Sequence, residues 1–334
     1  MTAYTGIQGQ NILIVSSDPA NPVEGQIWYN STSNLLKGYQ NVVVAAAWAS
    51  GGNMGTARYG LKTVGTQTAA LGMGGYDPPG TGATRLTESY NGTAWTPVSS
   101  LNTNTFQGMA FGTQTAALIA GGYNITPNST HNKTESWNGS TWTTLPATIN
   151  TARYGGGYAG IQTAGLIFGG IVYPTPTIYA NTESWNGSSW TSVTSMNTGR
   201  FVMGSTGTQT AALSFGGVPG PTYTDVTESW NGSSWTTVNS LNTARSDLGG
   251  AGTQTSTLAF AGKTTTPSAV TETWNGTSWA TSPASLTTAR WGLGGAGSQT
   301  AAIGAGGNTG SSSTATEEFT GASTALQTKT ITVS

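Results

Sequence analysis

The chain has 334 residues, of which only 7% are charged, and its net charge at pH 7 is -1. This composition lacks the excess of basic residues that usually marks a protein binding nucleic acid or an anionic membrane surface. Cysteine is absent, which excludes disulfides and thiolate metal sites, and no apolar run is long enough to span a bilayer. Met1 is followed by polar residues without a basic stretch, so we expect no secretion signal.

The first segment, residues 1–47, is predicted to be an extension with one β-hairpin. A Pro-rich turn at 18–25 leads into a strand at Gln26–Tyr29, the polar residues Asn30–Asn34 turn the chain, and Leu35–Tyr39 returns. This stretch resembles the short hairpin of many tailed-bacteriophage fibre and virion structural proteins. The resemblance implies a place in a phage tail or fibre, where the extension would dock onto other virion proteins.

The rest of the chain, residues 48–334, is built on a repeat. The motif Gln-Thr-Ala-Ala or a near copy begins at six positions, which are Gln67, Gln114, Gln162, Gln209, Gln254 and Gln299. The intervals between them are 47, 48, 47, 45 and 45 residues. A period of this length predicts a ring or solenoid of β-modules.

Residues 200–235 show how one copy is expected to fold. Phe201–Ser205 and Ala211–Phe215 are short apolar runs on either side of a Gly-containing turn, which predicts a hairpin. Thr227–Trp230 alternates as a third strand, and Asn231-Gly232 favours a tight turn into a fourth strand. Four antiparallel strands per copy predict one propeller blade.

The copies carry an Arg, a Gly pair, an aromatic residue and then a Trp, in that order. This set resembles the kelch repeat over residues from about 48 to about 320. The resemblance implies an all-β chain folded as a six-bladed kelch-like β-propeller. The sixth copy ends without a Trp, whereas Trp48 precedes Arg58 by the ten-residue interval seen in other copies. We therefore predict that an N-terminal strand near Trp48 closes the last blade.

Charged and aromatic residues recur in phase with the repeat. Glu occupies one position in all six copies and Arg another in five, with Phe106 near the sixth Arg position. These charges predict one buried Glu-Arg pair per blade, and a ring of ligand-binding charges is the alternative. The structural residues of the repeat are Arg58, Arg153, Arg200, Arg245, Arg290, Glu88, Glu135, Glu183, Glu228, Glu272, Glu317, Trp48, Trp95, Trp142, Trp190, Trp235 and Trp279.

Binding specificity is expected in the variable connections between the second and third strands, because loops on a rigid scaffold usually carry it. These connections share one face of the predicted disc, and they differ in length and chemistry from copy to copy. The candidate ligand-binding residues are Tyr76, Asp77, Arg85, Tyr123, His131, Lys133, Tyr173, Tyr179, Tyr223 and Asp225. Variable loops that bind nothing are the alternative.

Two further patterns have both a binding and a structural interpretation. Trp28 and Trp291 lie outside the repeat phase and are better candidates for stacking on a sugar than the in-phase tryptophans, which we expect in the core. Asn-Gly-Ser/Thr recurs at Asn91, Asn138, Asn186, Asn231 and Asn275. We expect hairpin turns at these five sites rather than glycan attachment.

The sequence contains no recognisable set of acidic and basic residues of the kind that catalysis needs. His131 is the only histidine and stands in a polar stretch, which is typical of a solvated loop. Glu317 and Glu318 are adjacent, but strand alternation sends them to opposite faces, and a glycosidase needs two acids about 5 to 10 Å apart. The Cys-Tyr crosslink and His ligands of kelch-class copper oxidases have no counterparts. We predict no enzyme activity, no cofactor and no metal.

Thr, Ser, Asn and Gly fill positions where an intracellular enzyme usually carries Lys and Glu. With the phage resemblance, this habit predicts a virion protein that is assembled in the host cytoplasm and carried on an extracellular particle. One function is contact with a host polysaccharide or outer-surface protein through the variable face. The alternative is a purely structural module that touches virion proteins and copies of itself, and a glycan-degrading enzyme is an outsider. Residues 325–334 fit either an extra blade strand or an extension to a partner.

Overall fold

The computed structural model describes residues 12–77 and 82–332. These residues form strands, turns and loops, and none of them lies in a helix, which confirms the predicted all-β class. The chain divides into two compact units, Ala47–Gly321 and a smaller one made of Met1–Ala46 with Ala322–Ser334. Parts of three predicted segments lie outside the described residues, namely 1–11 of the extension, 78–81 of the first variable connection and 333–334 of the final segment.

The smaller unit is one four-stranded sheet with the strand order β1, β2, β3, β32. Its strands are β1 (Leu13–Val15), β2 (Ile27–Asn30), β3 (Leu35–Val44) and β32 (Ser323–Thr330). β2 and β3 are antiparallel, with Ile27 opposite Gly38, and form the predicted hairpin. The final segment pairs with β3 rather than with a strand of the repeats, from Lys37 opposite Thr330 to Val44 opposite Ser323.

A polar cluster around Asp18 holds this sheet together. Oδ1 of Asp18 accepts hydrogen bonds from Trp28 Nε1 at 3.0 Å and from Asn30 Nδ2 at 2.8 Å, and Lys37 Nζ lies 2.7 Å from Oδ2. These donors, Lys37 above all, lower the pKa of Asp18 to about 2. Trp28 is fully buried, so it has no free face for a sugar, contrary to the expectation from its position outside the repeat.

The larger unit contains six four-stranded antiparallel sheets, numbered here by the chain order of their first strands. Sheet 1 is β5 (Lys62–Gly65), β6 (Ala70–Met73), β9 (Thr87–Tyr90) and β10 (Trp95–Val98); sheet 2 is β11 (Met109–Gly112), β12 (Ala117–Asn124), β13 (Ser129–Trp137) and β14 (Trp142–Leu145). Sheet 3 is β15 (Gly157–Ile161), β16 (Ala164–Phe168), β19 (Thr182–Trp185) and β20 (Trp190–Val193); sheet 4 is β21 (Gly204–Gly207), β22 (Ala212–Phe215), β23 (Thr227–Trp230) and β24 (Trp235–Val238). Sheet 5 is β25 (Gly249–Thr253), β26 (Ser256–Phe260), β27 (Thr271–Trp274) and β28 (Trp279–Thr281); sheet 6 is β29 (Gly294–Gly297), β30 (Ala301–Ala305), β31 (Thr316–Thr320) and β4 (Ala47–Ser50).

Neighbouring sheets meet through their first strands. The first strand of each sheet contacts the first strand of the next, and β29 of sheet 6 contacts β5 of sheet 1. A cavity of about 130 Å³ lies among these strands. Two short hairpins, β7 (Tyr76–Asp77) with β8 (Gly82–Ala83) and β17 (Ile171–Val172) with β18 (Thr177–Ile178), lie in the connections. This arrangement is consistent with a propeller-like fold.

The first strand of sheet 4 starts later than the sequence predicts. It is Gly204–Gly207 rather than Phe201–Ser205, whereas the third strand is Thr227–Trp230 as expected. Phe201 makes only an isolated bridge to Val218, and Val202 follows in a left-handed conformation with φ of 50°. A left-handed residue bends the chain away from the extended path of a strand, so regular pairing begins only after it.

The strand that contains Trp48 pairs with β31, where the tryptophan spacing predicts it, with Trp48 opposite Phe319. Trp48 Nε1 donates to Thr271 Oγ1 of sheet 5 at 3.0 Å. In each of the remaining five sheets, the Trp that begins the fourth strand makes the same bond to a Thr of the preceding sheet. The distances are 2.9 to 3.2 Å, and the pairs are Trp95 to Thr316, Trp142 to Thr87, Trp190 to Thr134, Trp235 to Thr182 and Trp279 to Thr227. The six bonds pass from sheet to sheet and return to the first.

The repeat glutamines join the same sheets a second time. Each Nε2 donates to the backbone oxygen of the third-strand aromatic residue in the preceding sheet, at 2.5 to 2.8 Å: Gln67 to Phe319, Gln114 to Tyr90, Gln162 to Trp137, Gln209 to Trp185, Gln254 to Trp230 and Gln299 to Trp274. This bond to the neighbouring sheet accounts for the Gln in each turn motif.

Candidate functional site

The periodic charges lie inside the sheets and pair with one another. The pairs are Arg58 with Glu88 at 3.1 Å, Arg153 with Glu183 at 2.5 Å, Arg200 with Glu228 at 2.5 Å, Arg290 with Glu317 at 3.0 Å, and Arg245 with Glu272. All five Arg side chains are fully buried, and burial lowers the pKa of each. Because both partners are buried and paired, these charges are structural and do not face a ligand.

Sheet 2 lacks the Arg, and the residue in its place is Thr105 rather than Phe106. Gly75 N donates to the carbonyl oxygen of Thr105 at 2.8 Å, as Gly122 N does to that of Arg153 at 2.9 Å, which fixes the correspondence. Glu135, the sheet 2 glutamate, accepts hydrogen bonds from the backbone N–H groups of residues 102 and 103 at 2.7 and 2.9 Å. Backbone donors therefore satisfy this carboxylate without an Arg.

His131 takes up the space that the missing Arg would fill. It lies on β13, not in a solvated loop, and its Nε2 is 3.4 Å from Thr105 Oγ1. A Cβ at Gly122 would lie 3.1 Å from this nitrogen, whereas one at the corresponding Gly170 would lie 3.2 Å from Arg153 Cδ. Burial, helped by the charge of the nearby lysine 133, lowers the pKa of His131 to about 4. The histidine is thus a packing residue and is neutral at pH 7.

Six residues, one before each first strand, form a closed cycle of backbone hydrogen bonds. This backbone ring consists of Gly60, Gln107, Gly155, Val202, Asp247 and Gly292, all with φ between 50° and 66°. Each N–H donates to the carbonyl oxygen of the ring residue in the preceding sheet, at 2.6 to 2.9 Å, and Gly60 N closes the cycle on Gly292 O. The left-handed conformation turns the N–H and C=O of each residue toward its ring neighbours.

Two side chains meet across the backbone ring. Gln107 Nε2 donates to Asp247 Oδ1 at 2.8 Å, although the two residues stand three steps apart in the cycle of six. Ser246 Oγ donates to the other oxygen of Asp247 at 3.0 Å. Burial raises the pKa of Asp247, while Ser246, Lys62 and Gln107 oppose the rise. Lys62 lines the same small cavity as Asp247, and burial lowers its pKa to about 8.

Seven partly exposed aromatic side chains form a connected network beside the ring. This aromatic cluster consists of Tyr59, Tyr76, Phe106, Tyr123, Tyr154, Tyr173 and Trp291. The ring centroid of Tyr59 lies 4.9 Å from that of Trp291, 5.3 Å from that of Tyr76 and 5.7 Å from that of Phe106. A Cβ at Gly60 would overlap the Phe106 ring, so the cluster packs directly on the backbone ring.

The far end of the aromatic cluster contains its one stacked pair. Tyr123 stacks on Tyr154 with 5.1 Å between centroids and 29° between planes, and Tyr173 lies 5.7 Å from Tyr123. At the other end, Lys263 Nζ lies 5.0 Å from the centroid of Trp291, within cation–π distance. The cluster thus offers aromatic faces bordered by a cation, next to the carboxylate and amide of the backbone ring.

The structure brings together three of the ten candidate binding residues, Tyr76, Tyr123 and Tyr173, in the aromatic cluster. The other seven lie elsewhere or make no contact with it. Asp77 follows Tyr76 on β7, His131 is packed inside sheet 2, and Lys133 is exposed on β13 with Nζ 3.4 Å from Thr103 Oγ1. Arg85 is exposed, and Tyr179, Tyr223 and Asp225 are partly exposed in the connections of sheets 1, 3 and 4.

Sequence reasoning missed Tyr59, Phe106 and Tyr154, and it named Trp291 only for its position outside the repeat. All four immediately follow the framework Arg position, in the connection between two sheets rather than in the variable connections. A signal was present, because this position is aromatic in five of the six copies and Ser246 is the exception. Periodicity alone does not show whether such a position is buried or partly exposed, so the recurrence indicates the repeat and not a binding surface.

The five Asn-Gly-Ser/Thr motifs form turns that use the Asn side chain. In each, Oδ1 of the Asn accepts hydrogen bonds from the backbone N–H groups two and three residues later, at 2.8 to 3.0 Å. Gly232, in the sheet 4 copy, has φ of 95°, which only glycine adopts readily. The hairpin accounts for the dipeptide without a glycan.

The two adjacent acidic residues, Glu317 and Glu318, have different structural partners. Glu317 pairs with Arg290, whereas the adjacent Glu318 accepts a hydrogen bond from Tyr90 Oη at 2.5 Å, so the two carboxylates serve different contacts. Burial, together with that bond, raises the pKa of Tyr90 to about 12. Among the residues that the structure describes, no three His, Cys, Asp or Glu side chains lie close enough to hold a metal ion.

Comparison of the chain with protein-family models finds no match, and comparison with curated proteins finds none. The kelch and phage resemblances therefore stand on the motifs of this sequence alone. Within residues 12–77 and 82–332, no helix is long and apolar enough to cross a membrane.

Proposed function

We propose that residues 47–321 form a closed six-bladed β-propeller of the kelch type, and that it recognises a ligand without catalysing a reaction. Closure is supported by the backbone ring, the Trp–Thr bonds and the Gln–carbonyl bonds, each of which returns from sheet 6 to sheet 1. Recognition is supported by one observation above all, the aromatic cluster, which gathers side chains from sheets 1, 2, 3 and 6 beside the ring.

The ligand class that fits this chemistry is carbohydrate. Aromatic faces pack on the C–H faces of sugar rings, and a few polar groups at the edge fix the hydroxyls. Asp247, Gln107 and Lys263 supply an acceptor, an amide and a cation beside the aromatic cluster. A bacterial surface polysaccharide is the form of carbohydrate that a phage protein would meet, and an outer-surface protein of the host is the next possibility.

The setting we propose is a phage virion, in a tail or fibre. Two features of the sequence support it: the N-terminal hairpin that resembles those of phage structural proteins, and a surface with few charged residues. In this setting the extension docks the protein onto other virion proteins, and the repeats face outward. The apolar side chains exposed on the smaller unit mark a docking surface, which agrees with this setting and also with the alternative, a purely structural module.

A glycan-binding role without hydrolysis agrees with how the carboxylates are used. Five of the six periodic Glu residues pair with buried Arg side chains, and the sixth accepts two backbone hydrogen bonds. Asp247, a carboxylate of the backbone ring, is held by Gln107 and Ser246. A glycosidase needs one acid free to donate a proton and a second to attack or activate water.

The test is retention of the purified chain on a panel of bacterial surface polysaccharides, with mass spectrometry of any released sugar. Replacement of Tyr123 or Tyr173 by Ala removes an aromatic face and is expected to lower affinity at least tenfold, whereas Tyr223→Ala, outside the aromatic cluster, leaves it unchanged. Released, shortened glycans would contradict the absence of catalysis. Retention that survives both cluster substitutions would place the ligand elsewhere, and no retention on any glycan would favour the structural alternative.

The virion setting has its own test. When the chain is produced without residues 1–46, we expect assembled phage particles to lack it. The isolated repeats should still unfold cooperatively. Normal incorporation of this truncated chain would contradict docking through the extension.

A further inference from the structure

Large apolar side chains are exposed almost entirely on the smaller unit. Of nine such residues in the described chain, eight belong to it: Ile12, Leu13, Ile14, Val23, Leu35, Val43, Val44 and Leu326. Ile161 is the one on the repeats, although that unit is several times longer. Exposed apolar residues scattered singly need no explanation, but eight of them on one small sheet indicate an interaction surface.

The same unit contains an apolar groove of about 570 Å³. Its lining includes Ile12, Ile27, Leu36, Tyr39 and Ile331. Gly38 lies at its floor, where an added Cβ would approach Ile331 Cδ1 to 3.2 Å. A single sheet has two faces to cover, and stable domains pack a second layer on at least one of them. Among the described residues, the smaller unit has only this one sheet and no second layer of strands or helices.

The charges around the apolar groove suit a second copy of the same surface. Asp18 and Lys37 neutralise each other at 2.7 Å, which leaves Glu24 and Lys329 as the other charged residues described in this unit. Both are exposed, Lys329 lines the groove, and Glu24 precedes the groove residue Gly25. A two-fold axis through a surface with one acid and one base brings unlike charges together twice.

We propose that two copies of this chain associate through their smaller units, with the apolar groove of one against that of the other. The interface is isologous: the apolar side chains that line the groove, the exposed Ile12 among them, bury one another, and Glu24 of each copy faces Lys329 of its partner. The proposal does not rest on the proposed ligand, because none of its residues belongs to the aromatic cluster.

Sedimentation velocity of the full chain across a hundredfold range of concentration tests the proposal. We expect a concentration-dependent dimer that Ile12→Asp converts to monomer, because it places a charge in the apolar groove. Ile12 is already 42% exposed, so the fold should tolerate the change. Ile161→Asp is the matched control, since Ile161 is 56% exposed on the repeats, and it should dimerise as the natural chain does. A natural chain that stays monomeric throughout, or equal loss in both variants, would overturn the proposal.

Charge reversal identifies the partner as a second copy. Glu24→Lys and Lys329→Glu should each weaken dimerisation by about tenfold, because the axis repeats each contact. The double variant should recover most of that loss, since it restores the unlike pairs in reverse. Losses that simply add in the double variant would contradict a reciprocal interface. Deletion of residues 1–11 tests the other occupant: a dimer that forms only after deletion would mean that the chain's own first residues cover the groove, and the proposal would fail.

Discussion

Removal of one buried arginine tests how the repeat charges contribute to stability. In Arg200→Met, the Glu228 carboxylate keeps only two backbone N–H donors, those of residues 197 and 198 at 2.7 and 3.3 Å, and it has no exposed surface. Loss of one partner from a buried ion pair costs about 3 to 5 kcal/mol, because the other charge stays buried and unpaired. Sheet 2 holds Glu135 with backbone donors alone, which favours the lower end, about 3 kcal/mol.

Guanidinium unfolding followed by tryptophan fluorescence measures this loss, with Arg85→Met as the matched control. Arg85 is exposed, so its replacement should change the free energy of unfolding by less than about 0.5 kcal/mol. The double variant Arg200→Thr with Thr224→His copies the sheet 2 arrangement. Thr224 is the sheet 4 counterpart of His131, because Thr224 N donates to Gly217 O and His131 lies opposite the corresponding Gly122. The double variant should be more stable than Arg200→Thr alone. If Arg200→Met and Arg85→Met unfold alike, the buried pair contributes nothing and the reasoning is refuted.

Three further outcomes follow from the packing and the pKa values. Gly60→Ala should lower the free energy of unfolding by about 2 kcal/mol, because its Cβ overlaps the Phe106 ring and its φ is 66°. Part of that cost should vanish in a Phe106→Ala background, and purely additive losses would contradict the contact. Asp18 has a pKa of about 2 in the folded chain, compared with a normal value of 3.8. Its stabilisation of the smaller unit is therefore complete above about pH 4 and is lost as the pH falls toward 2. The indole signal of Trp28 should report this transition, and Asp18→Asn should abolish it. His131 has a pKa of about 4 in the folded chain, below its normal 6.5, so the free energy of unfolding should fall as the pH drops from 6.5 to 4. Denaturant titrations at several pH values measure this dependence, and His131→Gln should make it weaker.

Most of the fold could be predicted because each strand carries its own local signal. Trp and Asn-Gly fix the third and fourth strands, and the spacing of Trp48 from Arg58 identifies a strand far from its sheet in sequence. The final segment could not be placed in the same way. Alternation along β32 shows that it is a strand, but the choice of β3 as partner depends on residues about 290 positions away. Pairing between distant segments is set by the tertiary structure and not by the pattern of either strand alone.

The candidate site was harder to predict because several of its residues recur at the same position of each repeat. Tyr59, Phe106 and Tyr154 recur at one position, and recurrence alone does not distinguish a partly exposed position from a buried one. Their partial exposure follows from the left-handed residue that comes next, which turns the chain just before the first strand. That conformation is visible in the sequence only where glycine stands, as at Gly60, and not where Gln107 adopts it.

The backbone ring also determines how many copies of the repeat this protein tolerates. The copies that form sheets 4 and 5 each repeat after 45 residues, so the gain or loss of one copy changes the chain by about 45 residues. A seventh copy would have to open the cycle of amides, and a lost copy would leave an N–H and a C=O facing each other across a gap. Unpaired amide groups inside a protein cost free energy comparable to a lost hydrogen bond. The backbone ring therefore disfavours a change in repeat number, whereas a point substitution that leaves the ring bonds in place carries no such cost.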